Sequence, residues 1–169
     1  MVCNLERRRP LGNPGASESF WGRGGAWVVA QSLAVTGWLV LTSKGHKPAG
    51  SAFARLVAAA LLSAGAVAIG SGMWALGKSL TPFPKPLEEA RLVRHGIYAL
   101  MRHPVYAGLI ALSLGWACLW GSWRGVALAR LQAVLLDAKA RREERWLREK
   151  FPDYDQYAAK VCRLIPGIY

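Results

Sequence analysis

Acidic residues are scarce in this chain, and cysteine and histidine scarcer still. Ten Asp and Glu stand against 22 Lys and Arg, giving a net charge of +12 over 169 residues. The cysteines, Cys3, Cys118 and Cys162, are odd in number, scattered and without a C-x-x-C pair. That argues against a disulfide framework, and with only three histidines no spacing builds a zinc site, so no metal is expected. No glycine-rich dinucleotide fingerprint occurs either. Long uncharged runs, by contrast, are plentiful. The chain is 53% hydrophobic with 8 Trp and 18 Gly, which disfavours nucleic acid as the partner of its positive charge and favours a membrane surface.

The uncharged runs cover 24–43, 56–77, 105–123 and, interrupted by Arg130, 126–136. The first is read as a retained helix rather than a signal peptide, because no small-x-small cleavage site follows it. Ala58, Ala59, Ala60, Gly65, Gly70 and Gly72 mark the second as a helix packed closely on a neighbour. Pro82, Pro84 and Pro86 exclude a regular helix in the loop 78–94. Residues 121–125 read as a tight turn, and the last run continues as a helix to Lys150, where Phe151-Pro152-Asp153 ends it. The fold expected is all-α: a polytopic membrane protein with about four transmembrane helices, a helical hairpin and a cytosolic C-terminal helix. Residues 1–23 are expected to be a polar segment, mostly disordered or at the membrane surface, and 24–169 one domain. Four crossings gather 17 of the 22 cationic residues on one side, which the positive-inside rule makes cytosolic, together with both termini.

Two stretches carry chemistry. In the first, His95-Gly96-Ile97-Tyr98 is followed by Arg102-His103-Pro104-Val105-Tyr106. Pro104 suits the first position of a helix and pushes His103 out of the α region, so a helix starts here with His103 near its N-cap. Its backbone N–H groups, beside Arg102, favour an anion. The plainer reading is a capping His, a headgroup-contacting Arg and two interfacial tyrosines. In the second stretch, Ala133, Leu136, Ala140, Leu147 and Phe151 form an apolar helical stripe, with Glu144 inside it and Glu143 at its edge. A carboxylate on a packed face needs a cation. Either Glu144 pairs with Arg148 one turn on, for about 0.3–0.5 kcal/mol, or it faces a pocket.

Together these motifs, with Leu147, Phe151, Tyr154, Tyr157 and Leu164-Ile165-Pro166, resemble the isoprenylcysteine carboxyl methyltransferase family and its bacterial relatives over roughly residues 82–166. The chain has Phe151-Pro152-Asp153 where a Phe-Gly pair is more usual. The resemblance implies a membrane methyltransferase domain at 24–169 with S-adenosylmethionine as cofactor and a lipophilic or lipidated substrate reached from the membrane lipids. It implies that His95, Gly96, Tyr98, Arg102, His103, Pro104 and Tyr106 line the cofactor pocket, with Glu143 and Glu144 facing it, and that Arg102, His103, Tyr106 and Glu144 serve the reaction. The favoured reaction is carboxyl O-methylation of an isoprenylcysteine-like amphiphile. Phospholipid N-methylation, an NADPH-dependent sterol-type reductase (some end in a similar Arg-His-Pro-x-Tyr segment) and a non-enzymatic scaffold are the alternatives.

Overall fold

A computed structural model describes residues 21, 25–43, 51–81, 83 and 91–169. Most of the polar segment 1–23, the turn at 44–50, and Pro82, Pro84 and Pro86 lie outside them. Among the described residues there are five α-helices and no strand: α1 (Gly25–Ser43), α2 (Ala52–Leu76), α3 (Pro104–Leu119), α4 (Trp123–Lys150) and α5 (Tyr154–Ala158). Short 3-10 turns occupy Gly77–Ser79 and Gly96–Ala99. Within α1, Gly25–Thr42, and the whole of α2 are long and apolar enough to cross a bilayer. With 16 residues, α3 spans only about 24 Å, whereas α4, with 28, reaches about 42 Å.

α2 opens at Ala52, four residues before the uncharged run begins, and carries Arg55 in its first turn, where the Arg55 N–H meets the Ser51 carbonyl at 3.2 Å. Arginine is a good helix former, so a charge does not end a helix. The tight turn expected at 121–125 is also shifted. It falls at 120–122, where Gly121 has φ +55°, and the Ser122 side chain accepts from the Gly125 N–H at 3.1 Å. Trp123, Arg124 and Gly125 therefore belong to the first turn of α4, because Ser122 is a competent N-cap.

α2 and α3 form the closest pairing, through small residues a heptad apart. Ala58, Gly65 and Gly72 of α2 are buried against Gly115, Gly108 and Pro104 of α3. A Cβ on Gly65 would lie 2.8 Å from the Gly108 carbonyl oxygen, and one on Gly108 would lie 2.7 Å from the Gly65 oxygen. Backbones this close gain dispersion contacts that side chains would forbid. Gly70 is not part of the seam, since a Cβ there meets nothing within 4 Å, and Ala59 and Ala60 are exposed. α4 packs on the other side of α3, where Ser113 donates to the Gln132 side chain at 2.7 Å. α1 lies chiefly on α4. Arg130 is exposed on α4 and does not reach into the packing.

Candidate functional site

The site begins with a backbone constraint. His95 is extended, Gly96 takes φ +62°, and the 3-10 turn that follows buries Tyr98. The chain then meets the C-terminal tail. Arg102 N–H donates to the Cys162 carbonyl at 2.9 Å, and His103 N–H donates to the Arg163 carbonyl at 3.0 Å. Pro104 starts α3 directly afterwards. His103, at φ −128° and ψ 63°, is the N-cap residue, but its side chain caps nothing. The imidazole instead points at α4, with Nε2 3.2 Å from Glu144 Oε1 and Nδ1 3.8 Å from Glu143 Oε2. Its ring stacks on Tyr106 at 5.3 Å between centroids, the two planes 1° apart.

Glu144 is the centre of a buried knot and is only 1% exposed. Arg163 grips it with two bonds, Nε to Oε1 at 3.0 Å and Nη2 to Oε2 at 3.1 Å. Arg102 Nη2 stands 3.2 Å from Oε1, while Nη1 donates to the Ala158 carbonyl at 2.7 Å. Arg148, the partner offered by helical spacing, is the most distant cation at 3.7 Å. Burial by itself raises the Glu144 pKa; the hydrogen bonds from His103 and Arg163 and the charge of Arg102 outweigh it and hold the group at about 2. The carboxylate therefore stays ionised, and the apolar stripe of α4 tolerates it because cations surround it.

Above this knot opens a cleft. Tyr98, Arg102, His103, Tyr106 and Glu143 line it, joined by Leu147, Phe151, Tyr154 and Tyr157 from α4 and the tail and by Ser79 to Thr81 and Arg91 to Val93 from the preceding segment. The Tyr106 hydroxyl donates to Glu143 Oε2 at 2.8 Å and the Tyr157 hydroxyl to the Tyr98 carbonyl at 2.6 Å. Burial pushes the phenols of Tyr98, Tyr154 and Tyr157 up, the last to about 12, so all three stay neutral across physiological pH. Two buried polar atoms here lack a hydrogen-bond partner among the described residues: the Tyr154 hydroxyl and Arg102 Nε. Orphaned polar atoms are costly in a closed core and useful beside a ligand.

Five of the residues singled out in the sequence thus share one cleft. Glu144 lies beneath it, behind Arg102 and His103. Pro104 packs against Gly72, with its ring 3.1 Å from where a Cβ would stand. His95 and Gly96 are exposed on the outer turn and do not line the cleft. Sequence reasoning did not assign Arg163 to the site. Its pairing with Glu144 crosses a helix end and α5, and no spacing rule links them. Tyr154 and Tyr157 had only their place in the tail motif to mark them.

A family model described as phospholipid methyltransferase matches residues 53–154, which include α2, the His-Pro turn and the helical hairpin. The chain belongs to the phospholipid methyltransferase family. It is similar to two proteins named "Probable protein-S-isoprenylcysteine O-methyltransferase", from Oryza sativa subsp. indica and subsp. japonica, each 32% identical over 83 residues. Those matches cover 48% of this chain and 44% of each relative, so the match spans less than half the length of these curated proteins. The cleft and the buried carboxylate lie largely within the matched region; Tyr157 of the cleft wall and Arg163, which grips Glu144, come from the tail beyond it. Among the described residues no group of His, Cys, Asp and Glu could hold a metal ion.

Proposed function

We propose that the protein is a polytopic integral-membrane methyltransferase that uses S-adenosylmethionine and acts on a lipophilic acceptor at the cytosolic interface. Residues 24–169 form its single domain, with the motif-bearing core at 82–166, and α3 and the first half of α4 serve as a third and fourth crossing. Apolar residues exposed on α4, Leu131 and Val134, fit that placement, as does the cationic bias toward one side. Both termini and the C-terminal helix then lie in the cytosol.

The observation that carries the reading is the cleft's unmatched polarity. Tyr154 and Arg102, whose buried hydroxyl and Nε have no hydrogen-bond partner among the described residues, belong to the lining of a space walled by aromatic rings and one part-exposed carboxylate. S-adenosylmethionine is a zwitterion with a sulfonium and a flat purine. Tyrosine faces attract cations and stack on flat rings. Glu143, 26% exposed at its side chain, suits an ammonium or ribose hydroxyl, and Arg102 Nε and the Tyr154 hydroxyl suit a carboxylate. Tyr98, Arg102, His103, Tyr106, Glu143 and Tyr154 would hold the cofactor. Glu144 fixes Arg102 and His103, and His95, Gly96 and Pro104 set the turn that presents them.

Bound there, S-adenosylmethionine supplies an electrophilic methyl group. The protein's task is alignment, which can supply up to about 7–11 kcal/mol of the barrier, and exclusion of water. A carboxylate acceptor needs no proton removed, and the favoured reaction is carboxyl O-methylation of an isoprenylcysteine-like amphiphile, in keeping with the names of the curated relatives. A second reading, N-methylation of a phospholipid amine, is favoured by the His103–Glu144 contact. If Nε2–H donates to Glu144, Nδ1 is left as the acceptor and serves as the base for an ammonium proton. Transfer of labelled methyl from S-adenosylmethionine to a panel of prenylcysteine analogues and phospholipids separates the two. Labelled prenylcysteine ester is the expected product; labelled phospholipid alone would establish the second reading, and no labelled lipid would refute both.

A further inference from the structure

The Glu144 carboxylate is shared unequally among its cations. Arg102 Nη2 and His103 Nε2 each reach Oε1, and Arg148 Nη2 stands off Oε2. Arg163 meets both oxygens, with Nε on Oε1 and Nη2 on Oε2. Two parallel bonds of this kind fix the plane of a carboxylate. That plane in turn decides where Arg102 and His103 come to rest at the cleft wall.

The groups that hold Arg163 lie outside the cleft lining. Asp137, Arg141 and Glu144 follow one another on α4 at spacings of four and three residues, which places them near one face of the helix. Asp137 accepts from Arg141 Nε at 2.7 Å and from Arg163 Nη1 at 3.3 Å. The Tyr169 hydroxyl completes the cluster. It accepts from Arg163 Nη1 at 2.7 Å and from Arg141 Nη2 at 2.6 Å, and it donates to Asp137 Oδ1 at 3.1 Å. A phenol offers one proton and two lone pairs, and here all three are engaged. The Tyr169 ring also lies against the Arg163 guanidinium, 5.3 Å from its centroid. The tail is folded to bring it there, since the Tyr169 main-chain oxygen accepts from the Leu164 and Ile165 N–H groups at 2.7 and 2.8 Å.

An ion cluster near the surface contributes little by itself. This one differs because Arg163 belongs to it and to the buried knot at once. Two guanidiniums repel each other, and the phenol and Asp137 between them keep Arg163 in place. We propose that Tyr169 is a positioning residue of the cleft: with Asp137 and Arg141 it clamps Arg163 square on Glu144, and through Glu144 it sets Arg102 and His103 for the cofactor. This rests on the reading that the cleft takes S-adenosylmethionine, and it adds a residue that touches neither the cofactor nor Glu144 by a hydrogen bond.

The test uses the full chain in non-ionic detergent and two double-mutant cycles on Tyr169→Phe and Glu144→Gln. Phenylalanine keeps the ring against Arg163 and removes the hydroxyl alone. In the first cycle, without cofactor, unfolding constants are compared. The double variant should depart from the product of the single effects by about fivefold, a coupling typical of one hydrogen-bonded network. In the second cycle, Tyr169→Phe should weaken S-adenosylmethionine binding about fivefold alone and less than about twofold beside Glu144→Gln, where Arg163 has no carboxylate to align. Should Glu144→Gln not fold, Arg163→Lys, which cannot make the two parallel bonds, takes its place in both cycles. Additive effects overturn the proposal. So does unchanged cofactor affinity in Tyr169→Phe, even with lower stability, because a merely structural contact would give that result. If the wild type takes up no S-adenosylmethionine, the methyltransferase reading fails, and the first cycle still decides whether Tyr169 acts on Glu144.

Discussion

The two ends of α3 are held by opposite chemistry. Its body packs on α2 through Gly108 and Gly115, where backbone approaches backbone and Ile69, Leu61 and Leu62 fill the remaining space. Its first turn is held by charge, through His103 and Arg102 on the buried Glu144. The glycine seam tolerates no added atom but has no electrostatic demand. The polar knot has room for a ligand beside it, yet every member depends on the others. A rigid apolar seam thus fixes the height and rotation of α3, and the knot fixes what its N-terminal side chains present to the cleft.

The largest effect should come from the knot. Glu144→Ala removes the fully buried carboxylate that Arg102, His103 and Arg163 share, and breaking a buried pair costs up to about 3–5 kcal/mol. Chemical denaturation in detergent should register that loss. Glu143→Gln, whose carboxylate is partly exposed, should change stability by less than about 1 kcal/mol and should lower turnover instead. Equal, trivial effects of the two substitutions would return Glu144 to the status of a surface ion pair.

The acid limb follows from the same group. Glu144 titrates at about 2 in the folded protein against an ordinary 4.5. A depressed carboxylate stabilises fully above its ordinary value, and that stabilisation is lost as pH falls from 4.5 toward 2, for about 3 kcal/mol in all. A stability profile over pH 2 to 6 should show this slope in the wild type and lack most of it in Glu144→Gln.

The seam should give intermediate effects. Gly65→Ala or Gly108→Ala forces a methyl group into a carbonyl oxygen under 3 Å away, for about 1–3 kcal/mol of overpacking. Gly70→Ala is the control with the smallest effect and the opposite sign. Its Cβ meets nothing within 4 Å, so the helix should gain up to about 1 kcal/mol. Thermal unfolding of the three variants side by side distinguishes a true seam from general intolerance of α2.

Much of this was legible beforehand, for stated reasons. Proline rules located the start of α3, and helical periodicity alone set Glu144 on the buried face of α4. The heptad of Ala58, Gly65 and Gly72 could also have been separated from Gly70 by its spacing. The partner of Glu144 was not legible. The local rule pointed to Arg148 at i+4, whereas tertiary folding brought Arg163 around α5 to form the closer, two-bond contact. The same holds for Tyr154. Its significance lies in what surrounds the hydroxyl after folding, and neither burial nor an absent partner has a sequence signature.

The aromatic, Glu143-bearing cleft above Glu144 is proposed to bind S-adenosylmethionine. Equilibrium binding of labelled cofactor to the purified full chain in detergent tests it most directly. Saturable one-to-one binding of S-adenosylmethionine, weakened by Arg102→Ala and not displaced by NADPH, is the expected result. Binding of NADPH with no uptake of S-adenosylmethionine would contradict it.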